Sequence, residues 1–256
     1  MIAVRIKPIL SRHISNEQFG FLNGRQIHEA IGVAQERLHS VKQKNKKGAV
    51  IKINLSKAYD RINWIYICLL VTHLGFKTDF ISWIMGCITN VSYAVLINGA
   101  TTPFFKGQRG LRQGCPLSPL LFLLAAEGLS QMIQKAKREG KVRGIEVAVN
   151  MYISHLLFVD DILVFTNGDS NEIKELKNIL DLFLKTTGMQ INSRKSQLIV
   201  EGLNRQEKAQ LYSFFPYQTS NMESPFKYLG FWLKPNAYKK EYWNWLIAKI
   251  EARISH

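Results

Sequence analysis

Asp160 and Asp161 stand side by side between two short apolar runs, Leu156-Leu157-Phe158-Val159 and Ile162-Leu163-Val164-Phe165. Each run has the length and β-favouring composition of a strand, so the segment predicts a tight hairpin that lifts both acids out of a buried sheet. Adjacent like charges repel, and a fold tolerates them most easily where a cation binds. Carboxylates of this kind suit Mg²⁺, a hard cation that takes oxygen ligands. Two such ions clamp the attacking and leaving oxygens of a phosphoryl transfer. The competing reading is a solvated turn, in which Asp is common.

The flanking elements show how such a pair is positioned. Residues 1–47 read as two helices joined by a glycine-punctuated loop, followed by the basic run Lys42-Gln43-Lys44-Asn45-Lys46-Lys47. That run is a solvated loop able to touch phosphate. Ala49-Val50-Ile51-Lys52-Ile53-Asn54-Leu55 predicts a buried strand. Helices follow over about 61–74, capped by Gly75, and about 78–89. A strand over 92–97 closes on the Asn98-Gly99 turn. Ser118 as N-cap and Pro119 as first residue start a long helix with Leu120, Leu121, Leu124, Gly128, Leu129 and Met132 on its buried stripe, ended by Gly140. Asp169 and Glu172 have capping-box spacing ahead of a third helix, which Gly188 ends. Strands over 197–200 and 226–232 are separated by a polar stretch, 202–225, and the chain from Tyr238 onward is helical with Trp243, Leu246 and Ile250 on one side. With the Asn98 turn set aside as an insertion, residues 49–201 run strand, helices, hairpin, helix, strand. The expected class is α+β: an antiparallel sheet of split βαβ type backed by helices on one face.

Composition narrows the partner. Thirty-four Lys and Arg against nineteen Asp and Glu give a formal charge of +15 among 256 residues. Such an excess favours a polyanion, nucleic acid ahead of a membrane surface. No apolar run approaches the roughly 20 residues needed to span a bilayer. Cys68, Cys87 and Cys115 are odd in number and widely spaced, which fits a reducing, intracellular setting, nuclear or cytoplasmic, and no zinc site.

Ile53-Asn54-Leu55-Ser56-Lys57-Ala58-Tyr59-Asp60, Gly110-Leu111-Arg112-Gln113-Gly114-Cys115-Pro116-Leu117-Ser118-Pro119 and Phe158-Val159-Asp160-Asp161 occur in one order. So do Gln18-Phe19-Gly20-Phe21 with Gly24-Arg25-Gln26-Ile27, Gly188-Met189-Gln190-Ile191-Asn192 with Lys195-Ser196, and Tyr228-Leu229-Gly230. Over nearly its whole length the chain resembles reverse transcriptases of LINE-type (non-LTR) retrotransposons, the plant-type elements most of all. The resemblance implies a polymerase palm over 49–201, a partial fingers segment over 1–48, and a primer-grip hairpin with the start of a thumb-like helix over 202–256. It implies DNA synthesis on an RNA template from a DNA primer and dNTPs, with two Mg²⁺ ions and no obligate protein partner. Asp160 and Asp161 take the place of palm metal ligands. Tyr59 takes that of the aromatic that stacks on the incoming sugar and excludes a 2′-OH. The Leu55 carbonyl would help hold the nucleotide-bound metal, Gln113 would lie against the dNTP, and Lys195 resembles the lysine that protonates departing pyrophosphate. Tyr228, Leu229 and Gly230 would grip the primer. By residue type alone, Tyr59 also suits a core position, Lys195 a solvated surface and Gln113 a loop hydrogen bond.

One departure matters most. The family's first catalytic aspartate stands five residues before the aromatic, and here that position is Asn54. An amide oxygen can ligate a metal but brings no charge, so the site is expected to bind Mg²⁺ poorly. The family's upstream Arg-Pro-Ile-Ser segment, its endonuclease and a full thumb also fall outside these residues, and the expectation is a decayed or fragmentary element. The reading is therefore a reverse transcriptase domain that is inactive or weak as written. The alternatives are a catalytically dead remnant that still binds nucleic acid, and a group II intron-type maturase.

Overall fold

The computed structural model describes residues 1–44, 46–235 and 238–254; Asn45 of the basic run lies outside them. The principal elements are α1 (Ile2–His13), α2 (Ile27–Gln43), β1 (Gly48–Asn54), α3 (Trp64–His73), α4 (Thr78–Thr89), α5 (Ser118–Arg138), β2 (His155–Phe158), β3 (Asp161–Thr166), α6 (Ser170–Thr187), β4 (Gln197–Glu201), α7 (Arg205–Phe214), β5 (Gln218–Asn221), β6 (Phe226–Tyr228), β7 (Phe231–Leu233) and α8 (Asn244–Ile254). Five strands form one sheet in the order β5-β4-β1-β3-β2. β1 pairs antiparallel with both β3 and β4, and β2 with β3, as the split βαβ reading expects.

β1 is central because both of its faces are apolar. Ala49, Ile51 and Ile53 share one core with Leu121, Phe122, Leu176, Leu180 and Phe183, so α5 and α6 back that face. Val50 belongs to a second core with Leu163, Phe165 and Ile199, covered by Ala34, Leu38 and Val41 of α2 and by Phe226, Tyr228 and Leu233. Each Val, Leu, Ile or Phe side chain so withdrawn from water contributes about 1.5–3 kcal/mol. The second face, in addition to the expected helical backing of the first, carries α2 and the β6–β7 hairpin near the acidic turn.

Several local expectations are corrected. The polar stretch over 202–225 holds α7 and β5, and β5 adds to β4 in parallel, so the sheet is not wholly antiparallel. Residues 226–232 are not one strand but two, reversed at Leu229 (φ 48°) and Gly230 (φ 89°). Residues 92–97 likewise split: Ser92–Tyr93 pairs with Phe105–Lys106, and Leu96–Ile97 pairs with Ala100–Thr101 across the Asn98-Gly99 turn. The helix expected over 61–74 is broken into Ala58–Arg61 and α3, whose N-cap is Asn63. Leu117, not Ser118, caps α5, because the Ser118 hydroxyl donates to the Arg112 carbonyl at 2.7 Å and closes the preceding loop. On α5, Gly128 and Met132 are only partly buried. Asp169 does cap α6, accepting from Asn171 N and Glu172 N. Glu172 completes no capping box; its buried carboxylate accepts instead from Arg143 N at 2.9 Å and Gly144 N at 3.2 Å.

Candidate active site

The acidic turn has two residues, Val159 and Asp160, between paired Phe158 and Asp161. Asp161 is thus the first residue of β3, and the β1–β3 register sets it opposite Asn54. The Asn54 amide Nδ2 donates to Asp161 Oδ1 at 3.3 Å. Asn54 thus meets Asp161 across the ladder, while Asp160 stands one residue outside it in the turn. Asn54 is held by its backbone: its N–H donates to Ser196 Oγ at 3.1 Å, and its carbonyl accepts from Asn192 N at 2.8 Å. Leu55 next to it is buried and bridges Ile191.

Burial, and then the charge of Asp161, raise the Asp160 carboxyl above its usual range, while Lys195 works against both. Lys195, exposed in the turn before β4, therefore acts on Asp160 through its charge. With no cation bound, the sign of the pH effect follows. A carboxyl whose folded pKa is raised binds more protons folded than unfolded, so its ionisation removes stability as pH rises from the ordinary value of 3.8 through the raised one. Asp160→Asn should flatten the part of a Tm-against-pH profile that lies above the ordinary carboxyl value of 3.8, and Mg²⁺ should stabilise the parent more than the variant. Superimposable profiles would refute the strained pair.

Tyr59 stacks on Phe122 with ring centroids 4.6 Å apart and planes at 8°. Burial and then the Asp160 charge push its hydroxyl up to about 12. The loop that follows is pinned to it: Leu111 N donates to the Tyr59 carbonyl at 2.7 Å, and Trp64 Nε1 to the Gly110 carbonyl at 2.6 Å. Gly110 has φ 91°, and a Cβ there would lie 2.7 Å from the Asp60 carbonyl oxygen, so glycine is required. Gln113 lies exposed in the loop beyond this pin.

On the opposite side, Tyr228 is buried and its hydroxyl has no hydrogen-bond partner among the described residues. Burial, and then Asp161, raise its pKa. Leu229 is partly buried and Gly230 exposed at the turn. Lys52, two residues before Asn54 on the same face of β1, donates from Nζ to the Lys227 carbonyl at 2.6 Å and ties this hairpin to the sheet. Lys52 was not singled out from sequence, although its period-two spacing from Asn54 is the signal that would have found it.

No group of three or more His, Cys, Asp or Glu residues able to hold a metal occurs among the described residues. The donor set is two carboxylates and one amide. In type it fits a hard divalent cation, with one negative charge fewer than three carboxylates would bring.

A model of the family "Reverse transcriptase (RNA-dependent DNA polymerase)" matches residues 1–233. The chain belongs to the reverse transcriptase family, within its non-LTR retrotransposon group. It is 24% identical over 241 residues to an uncharacterized 149 kDa protein of transposon TX1 from Xenopus laevis, covering 93% of this chain and 18% of that protein. It is also 24% identical over 197 residues to the Pol polyprotein of the type-1 retrotransposable element R2 from Popillia japonica, covering 77% of this chain and 27% of the relative. The chain thus spans well under a third of either relative. The solved structure of telomerase from Candida albicans with a TWJ fragment of telomeric RNA shares the fold, with a TM-score of 0.58 at 13% identity over 91% of this chain and 36% of that one. No described helix is long and apolar enough to cross a membrane.

Proposed function

We propose that this chain is the core of an RNA-directed DNA polymerase whose chemistry centres on Asp160, Asp161 and Asn54, and that Asn54 leaves it weak or inactive. The observation that carries the reading is the cross-strand contact of Asn54 with Asp161 at the strand end beside the Asp160 turn. Residues 49–201 form the palm, residues 1–48 part of the fingers, and residues 202–256 the primer-grip hairpin and the start of a thumb-like helix. Asp160, Asp161 and the Asn54 amide oxygen would hold two Mg²⁺ ions, which supply charge stabilisation to the attacking and leaving oxygens. The Leu55 carbonyl adds a neutral oxygen to that set. Tyr59, backed by Phe122, presents a flat face to the incoming sugar. Gln113 steadies the dNTP, and Lys195 gives a proton to the departing pyrophosphate. Tyr228, Leu229 and Gly230 hold the primer strand over Asp161.

In this reading the amide does more than omit a charge. Its Nδ2 hydrogen bond occupies a lone pair of Asp161 that a metal would use, so the ligand next to it is weakened as well. Primer extension on an RNA template with Mg²⁺, for the parent chain and for Asn54→Asp, tests the proposal.

Binding gives a separate test. The surplus basic residues should flank the acidic turn and contact phosphates, so affinity for an RNA–DNA duplex should fall steeply between about 50 and 200 mM salt, as counterion release requires. A flat salt response would count against nucleic acid as the partner.

A further inference from the structure

Val159 carries the acidic turn in the left-handed region, at φ 58°. A β-branched residue is strained there, and such strain persists only where surrounding structure enforces it. The enforcing group lies 141 residues away in the chain. Gln18 is fully buried, and its Oε1 accepts from Val159 N at 3.2 Å and from Gly20 N at 3.0 Å. Its Nε2 has no hydrogen-bond partner among the described residues. The surrounding loop is built for the same contact. Phe19 N donates to the Leu157 carbonyl at 2.9 Å, and Leu157 N to the Glu17 carbonyl at 2.8 Å. A Cβ on Gly20 would fall 2.5 Å from Val159 Cγ2, so only glycine lets the loop approach this closely. The Arg25 guanidinium donates to the carbonyls of Ile14, Ser15 and Gln18 and fixes the loop from behind.

We infer that Gln18 is a positioning residue for the metal-binding turn: its carboxamide oxygen holds Val159 left-handed and so aims the Asp160 carboxylate. The inference rests on the metal site proposed above. It explains why a polar side chain with an orphaned donor occupies a fully buried place, where an apolar residue of equal size would cost nothing in desolvation.

The test is Mn²⁺ binding by the whole chain, read by the free-ion electron paramagnetic resonance signal, together with hydrogen exchange at the Val159 amide. Gln18→Met keeps the volume and removes the acceptor. It should weaken Mn²⁺ binding about 10-fold or more and deprotect the Val159 amide. Gln18→Met with Val159→Gly should recover most of that affinity, because glycine adopts φ 58° without help, while Tm falls further than in Gln18→Met alone. A purely structural role predicts the same further fall in Tm with no recovery of affinity. Asp160→Asn separates the two levels. If it leaves Mn²⁺ binding unchanged, the site reading fails and the inference falls with it. If it abolishes binding while Gln18→Met changes neither affinity nor Val159 exchange, the inference alone is overturned.

Discussion

Primer extension by the Asn54→Asp variant should run at least about 10–100-fold faster than by the parent chain, and Asp160→Ala should abolish the activity of both. Phosphoryl transfer depends on charge held by metal ions, and the parent site offers Asp160, Asp161 and one neutral amide. The substitution changes two things together. It adds a third carboxylate opposite Asp161, and it removes the Nδ2 donor that now engages Asp161 Oδ1. The loss of activity in Asp160→Ala separates genuine turnover from a contaminating polymerase. Parent extension at about 1 s⁻¹ or more, the ordinary range for enzymes, would mean that Asn54 is a competent ligand.

Phe122→Ala should cost about 3–5 kcal/mol of stability, with a fall in Tm of about 10 °C. Phe122 is fully buried in the core that joins α5 to β1, and its ring is also the support on which Tyr59 lies. The two roles separate with Phe122→Leu. Leucine keeps most of the apolar volume but loses the ring stack, worth about 0.5–1.5 kcal/mol. In an Asn54→Asp background that variant should fold, raise the KM for dNTP, and discriminate less well against ribonucleotides. If its KM and sugar selectivity match the parent background, Tyr59 is a core side chain and not a nucleotide platform.

The parts legible in the sequence were those governed by local rules. The Asp160-Asp161 hairpin followed from two apolar strand-length runs around one polar break, and α6 from its start at Asp169 and its stop at Gly188. Misread features are those where a side chain answers to something distant. Ser118 has the right type for a cap but is drawn to Arg112, and Glu172 is drawn to Arg143 and Gly144 across the fold. β5 was invisible because Gln218-Thr219-Ser220-Asn221 has no apolar alternation; backbone pairing with β4 makes it a strand. At the candidate site, Asn54, Asp160 and Asp161 are singled out by type and order, but not the choice of Asp161 as the partner of Asn54, which register alone decides. Gln18 acts through a contact 141 residues away in the chain, which no spacing rule encodes, whereas Lys52 is marked by its place two residues before Asn54 and only its partner, the Lys227 carbonyl, is hidden from the sequence.

The Gln18 segment has a second effect, on association between molecules. A sheet ends in two rows of unpaired backbone groups, and exposed apolar edges template aggregation. On one side the outermost strand is β2, whose His155-Leu156-Leu157-Phe158 would be such an edge. There the pairing of Glu17 and Phe19 with Leu157 covers it. On the other side the edge is β5, short and built from Gln, Thr, Ser and Asn. One border of the palm is thus shielded by a neighbouring segment and the other is blunted by its own polarity. A fragment cut to begin at β1 would keep every carboxylate of the acidic turn and still lose the cover on β2, so it would be drawn toward strand-to-strand self-association.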